Sequence, residues 1–197
     1  MQKQTIILAS ASPRRAQLLD QIGVKYQIQV ADINEDAEVD EIPADLVQRL
    51  AKEKAEVISI NTTNPVLGAD TLGVLKGALL NKPDNFDHAY KMLSAMSGNW
   101  HEILSAVALS YQGETTVLLN KNRVLFKSLS DQEIKNYWET GEPQDKAGAY
   151  AIQGIAATFI ERIEGSYSGI MGLPLFETWL LLEKAGIYTN HHTKMDN

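Results

Sequence analysis

The segment Ile6-Ile7-Leu8-Ala9 running into Ser10-Ala11-Ser12-Pro13-Arg14-Arg15 constrains this chain more than any other stretch. Four consecutive apolar residues predict a buried strand. Ser12 suits an N-cap, and Pro13 suits the first helical position, where its missing N–H costs nothing. The helix so opened carries Leu18, Leu19 and Ile22 and meets a stop at Gly23. A strand therefore feeds a helix whose start is polar, proline-fixed and doubly cationic. Free N–H groups, the positive end of the helix dipole and two guanidinium forks gathered at one point suit a phosphate or another anion. The competing reading is two solvated arginines on a surface helix.

The chain has 197 residues, 44% of them apolar and 22% charged, enough to bury a core as one large domain or two small lobes. No apolar run is long enough to cross a bilayer, and the short opening run is too brief for a secretory core, so a cytoplasmic protein is expected. With no cysteine, disulfides, thiolate catalysis and cysteine-bound zinc are excluded. The net charge of -7 argues against binding a nucleic-acid polymer, though not against a small polyanion met by locally gathered cations or a divalent metal. The tail, with His191 and His192, is polar and aperiodic, and a frayed end is expected there.

Periodicity and turn residues predict an α/β fold with a mixed sheet. Strands are expected at Tyr26 to Val30, Val66 to Ala69, His101 to Tyr111, Thr115 to Phe126 and Thr158 to Ile163. Lys76-Gly77 and Gln112-Gly113 read as hairpin turns. Helices are expected from Pro43 to Ile60, Phe86 to Met96, Ser130 to Thr140 and Leu175 to Ala185, the third opened by a Ser130/Glu133 capping box. The acidic stretch from Asp32 to Glu41, the segment Asp145 to Gly154 and the segment Gly165 to Pro174 read as loops.

Several residues on this scaffold can carry chemistry. Lys54 falls within the apolar face formed by Leu46, Val47, Leu50, Val57 and Ile58. It either snorkels past the core edge or points into a site. Asp70 is placed at the exit of a buried strand, where ligand sites of α/β sheets gather. It either caps a turn or holds a divalent metal or a water. Glu35 is a second carboxylate or a solvated loop charge. In the segment Asp145 to Gly154, small residues allow close backbone approach, Lys146 can meet a phosphate, and Gln153 can read a base edge with its donor and acceptor. An ordinary glycine loop fits the same residues. His101 is read as structural. Neither a GxxxxGK[ST] nor a GxGxxG motif occurs.

Taken in order, Ser10-x-Ser12-Pro13-Arg14-Arg15, Gly68-Ala69-Asp70-Thr71, Lys82-Pro83, Ser97-Gly98 with His101, Asp145 to Gly154, and Gly165-Ser166-Tyr167 through Gly172-Leu173-Pro174 resemble the Maf proteins, also described as septum formation inhibitors. The resemblance covers Ile6 to Ala185; each motif is weak, but six in sequence are specific. It implies a mixed twisted sheet with flanking helices and two lobes around a cleft, akin to the inosine triphosphate pyrophosphatases. It also implies one domain over residues 1–188 with a polar tail at 189–197. The implied reaction is metal-dependent hydrolysis of a nucleoside triphosphate to the monophosphate and pyrophosphate, with Mg²⁺, Mn²⁺ or Co²⁺, in a homodimer. Arg14, Thr71 and Gln153 match the branch acting on dTTP, UTP and modified pyrimidine nucleotides. The branch that prefers 7-methyl-GTP has tryptophan, glutamine and glutamate at those places. Asn81 stands where glycine commonly precedes the lysine-proline pair. The implied roles make Asp70 the general base, and Asp70 with Glu35 the metal ligands. Ser12, Arg14, Arg15, Lys54, Lys82 and Lys146 take the phosphates, while Arg14, Thr71 and Gln153 set specificity. A non-catalytic nucleotide-binding regulator of cell division is the alternative.

Overall fold

The computed structural model describes residues 4–187. The tail and its two histidines lie outside the described residues. Seven strands form one mixed sheet in the order β2-β1-β3-β5-β6-β7, with β4 attached to β3. They are β1 (Ile6–Leu8), β2 (Tyr26–Ile28), β3 (Val66–Leu75), β4 (Ala78–Leu80), β5 (Trp100–Tyr111), β6 (Glu114–Phe126) and β7 (Ile160–Glu164). β1 pairs parallel with both β2 and β3, whereas β4 on β3 and β7 on β6 are antiparallel. The helices are α1 (Pro13–Gln21), α2 (Pro43–Ser59), α3 (Phe86–Met96), α4 (Asp131–Glu139), α5 (Tyr167–Met171) and α6 (Leu175–Lys184). Among the described residues no helix is long and apolar enough to cross a membrane.

The chain forms two compact units. Among the described residues, the first comprises residues 4–71, 105–120 and 172–187, and the second residues 72–104 and 121–171. In the first, Ile6, Leu8, Leu67 and Ala69 on the strands are buried, as are Leu46, Val47, Leu50, Ala51 and Ala55 on α2. In the second, the core is strongly aromatic: Phe126, Tyr137, Tyr150 and Phe159 are buried together with Leu93, Met96 and Ile134.

Local signals explain most element ends. Pro13 and Pro43 open their helices, and Ser130 and Glu133 form a complete capping box. Lys76 and Gly77 both take positive φ, 52° and 83°, so the chain turns back in two residues and pairs Leu75 with Ala78. Three expectations need correction. β3 does not end at Asp70 but runs on through Leu75, because Gly73 to Leu75 pair with β4; Asp70 is thus a mid-strand residue. The stretch Gly165 to Pro174 is not all loop, since it holds α5, opened by the Ser166 hydroxyl accepting from the Gly169 N–H at 3.1 Å. Val57 lies at the margin of the apolar face of α2 and is 36% exposed.

Candidate functional site

In the first unit, the site begins with a glycine. A Cβ on Gly68 would lie 2.3 Å from the Ala51 carbonyl oxygen and 2.7 Å from the Ala55 nitrogen. The backbone of α2 therefore rests directly on β3, an approach that only glycine permits. Two residues further along, on the same face of the strand, stands Asp70. One turn of α2 carries Lys54 between Ala51 and Ala55. The two side chains meet: Lys54 Nζ donates to Asp70 Oδ1 at 2.8 Å, and both residues are buried. Lys54 Nζ also lies 2.6 Å from Glu35 Oε1, whose side chain is 61% exposed. Lys54 points inward and bridges two carboxylates, one buried and one facing solvent. Two of its three N–H donors are so engaged.

A second focus lies on the Gly172 carbonyl. Arg15 Nε donates to it at 2.9 Å and the Thr71 hydroxyl at 3.4 Å. Arg15 Nη1 donates to Ser10 Oγ at 3.0 Å, and that same hydroxyl accepts from the Ser12 N–H at 3.2 Å. Thr71 Oγ1 lies 2.9 Å from Ser105 Oγ. Burial lowers the Arg15 pKa from its ordinary value and Arg14 adds to the effect, while Asp70 and Glu35 oppose it. Ser12 occupies the N-cap position of α1, yet its side chain makes no capping bond. Thus Ser12, Arg15 and Thr71 are tied into one network, and Lys54, Asp70 and Glu35 into another.

In the second unit, Lys82 is exposed and Lys146 half-buried. Their loops are joined by the Gly148 N–H donating to the Asn81 carbonyl at 3.0 Å. Ala149 adopts a positive φ of 61°, which a residue with a Cβ rarely does, while fully buried. Next to it the Tyr150 hydroxyl lies 2.7 Å from His101 Nε2. His101 sits edge-on to Phe126 and Tyr150, with ring centres 5.0 and 5.4 Å away. Burial pushes the His101 pKa down to about 4, so the ring is neutral at pH 7. The structural reading of this histidine fits that setting. Gln153 is exposed.

Sequence reasoning did not single out Ser10 as a site residue, nor Ser105 or the carbonyl of Gly172. Ser105 interrupts the apolar run of β5 and is fully buried, which is the signal that marks it. Gly68 within an apolar strand is a similar mark of close backbone approach.

Among the described residues, no three histidine or acidic side chains gather into a metal cage. Asp70 and Glu35, both paired with the Lys54 ammonium, are the two carboxylates that could hold a hard cation here.

Known proteins resemble this chain in sequence and in fold. A dTTP/UTP pyrophosphatase of Hahella chejuensis is 49% identical over 189 residues, covering 94% of both chains. A dTTP/UTP pyrophosphatase of Methylobacillus flagellatus is 50% identical over 185 residues, 92% of this chain and 93% of its own. Among solved structures, the Staphylococcus aureus Ham1 protein superposes with a TM-score of 0.55 at 12% identity, covering 92% of this chain and all of that one, a likeness of fold. The family described as Maf-like protein matches residues 5–185, and the chain belongs to the Maf family.

Proposed function

We propose that this protein hydrolyses dTTP and UTP, together with modified pyrimidine nucleotides, to the nucleoside monophosphate and pyrophosphate. The observation that carries the reading is the buried Lys54–Asp70 pair with Glu35 at its mouth. It occurs in a chain that shares about half its residues with relatives of that name. An ion pair is costly to bury, and this one lies between a helix and a strand brought together by Gly68. Such an arrangement is well suited to work on a charged substrate.

In the proposed reaction water attacks the α-phosphorus, its proton passes to the Asp70 carboxylate, and the bond to the β-phosphate oxygen breaks to release pyrophosphate. Lys54 orients Asp70 and offers its third donor to a phosphate oxygen. Arg14, Arg15 and Ser12 bind phosphate at the start of α1, where N–H groups and guanidinium charge favour an anion. A divalent ion such as Mg²⁺, Mn²⁺ or Co²⁺, held by Asp70 and Glu35, would supply charge neutralisation and a more acidic water when bound. For the second unit the roles rest on the resemblance: Lys82 and Lys146 to phosphate, Gln153 to the base. Thr71 completes the specificity set with Arg14. On the same ground the proposal extends to a homodimer, and the sequence composition adds a cytoplasmic setting.

The test is pyrophosphate release from a panel of nucleoside triphosphates with Mg²⁺, Mn²⁺ or EDTA. Metal-dependent release fastest with dTTP and UTP is expected. Saturable nucleotide binding without product would favour the non-catalytic regulator, and fastest release from 7-methyl-GTP would move the chain to the other branch.

A further inference from the structure

The side chain of Glu142 has no part in the reading above, yet it packs directly over Gly154. A Cβ on Gly154 would lie 2.3 Å from both of its carboxylate oxygens. Its Oε2 accepts from the Ile155 N–H at 2.8 Å, and its Oε1 accepts from the Ala156 N–H at 3.3 Å. The Oε1 atom also accepts from the Tyr137 hydroxyl at 2.8 Å. Tyr137 is itself buried on α4, edge-on to Phe159 with ring centres 5.0 Å apart. Burial, and next to it the bond to Glu142, raise its pKa, which keeps its hydroxyl a donor. One carboxylate thus joins a buried tyrosine to the two amides that follow Gln153-Gly154.

We propose that Glu142 is a positioning residue for base selection: it fixes the backbone immediately after Gly154 and so constrains the turn from which Gln153 presents its amide. This rests on the reading of Gln153 as a base-edge contact. Gln153 is exposed, so the backbone of its turn sets the point from which its side chain reaches out. Charge-assisted bonds to consecutive N–H groups are strong and directional, and they hold that backbone to one conformation. The absence of a Cβ at Gly154 lets the carboxylate reach them. A site that reads a base by hydrogen bonds discriminates only while its polar groups are correctly placed, so a shift of this turn should act on selectivity before it acts on chemistry.

The decisive experiment measures kcat and KM for dTTP and dATP in the wild type, Glu142→Gln, Gln153→Ala and the double variant, with thermal melting of each. Glu142→Gln keeps the size of the side chain but turns an N–H toward one of the amide donors. We expect the dTTP-over-dATP preference in kcat/KM to fall about threefold, mostly through KM for dTTP, with kcat changed less than about twofold. In the Gln153→Ala background the same substitution should leave the preference unchanged, because both act on one contact. Loss of activity toward both substrates in equal proportion, or additive effects in the double variant, would overturn the proposal and leave Glu142 a purely structural residue. If Glu142→Gln does not fold, Tyr137→Phe decides, since it removes one of the three bonds and keeps the aromatic packing. A preference unchanged there would overturn the proposal too. A wild type without pyrophosphatase activity would instead sink the functional reading on which the inference stands.

Discussion

The two units solve opposite problems with buried polar groups. The first buries charge: Lys54 and Asp70 are in contact between helix and strand, and Glu35 completes the cluster from the solvent side. The second holds its core polarity largely neutral: His101 and Tyr150 share a hydrogen bond among aromatic rings, and burial keeps the imidazole uncharged. Buried ion pairs seldom add stability over an apolar replacement, whereas a neutral hydrogen bond in a well-packed core fixes a shape. The contrast teaches where to look for chemistry and where for positioning. Substitutions in the first unit's cluster should strike turnover, and those in the second unit's aromatic core should strike stability or loop placement.

The sharpest way to break this contrast is Asp70→Asn. It retains the size of the side chain and an acceptor for Lys54. It should lower turnover by ~10²-fold or more with a cooperative unfolding transition preserved, as loss of a positioned acid–base group does. Near-normal pyrophosphate release would remove Asp70 from the chemistry. Next in size is Gly68→Ala, whose new methyl group would meet backbone at 2.3 Å. It should cost about 1–3 kcal/mol by denaturant unfolding, the usual range for overpacking, and displace Lys54 from Asp70. An unchanged midpoint would mean that α2 does not depend on that close approach.

For His101 the sign is fixed by its lowered pKa, about 4 against 6.5 in an unfolded chain. The unfolded state takes up a proton first, so the contribution is fully present above pH 6.5 and is lost as pH falls toward 4. The slope reaches at most about 1.4 kcal/mol per pH unit. His101→Gln should flatten stability over that window, and an unaltered pH profile would show that another group titrates there. The smallest expected effect is that of Gln153→Glu, which should lower kcat/KM for dTTP and UTP about fivefold relative to other triphosphates with melting unchanged. If substrate ranking stays as in the wild type, Gln153 does not read the base.

These tests fall on residues that differ in how visible they were in the sequence. The bounds of α3, the capping box of α4 and the Lys76-Gly77 and Gln112-Gly113 turns follow from local chemistry, so reading the sequence finds them. Lys54 was visible as a cation on an apolar face, but its partners come from 16 residues later on β3 and from the loop at Glu35, and no local rule supplies such contacts. Asp70 looked like a strand end because the polar pair Asp70-Thr71 breaks the apolar run from Val66, whereas the strand is carried past it by the pairing of Gly73 to Leu75 with β4. The helix α5 was hidden because glycine and serine around it suggest a loop. Its cap is built from the Ser166 hydroxyl, while its entry is held by Asn122 Oδ1 accepting from the Ser166 N–H at 2.6 Å, a long-range contact. Glu142 was invisible for the same reason, since its meaning lies in amides that the fold brings back to it.

The central claim is that water attacks the α-phosphorus of a pyrimidine triphosphate. Hydrolysis of dTTP by the metal-supplemented protein in ¹⁸O-labelled water tests it most directly, with mass analysis of both products. Label in dTMP and none in pyrophosphate is the predicted result. Label in pyrophosphate, or orthophosphate as the product released, would place the attack at another phosphorus and contradict the claim.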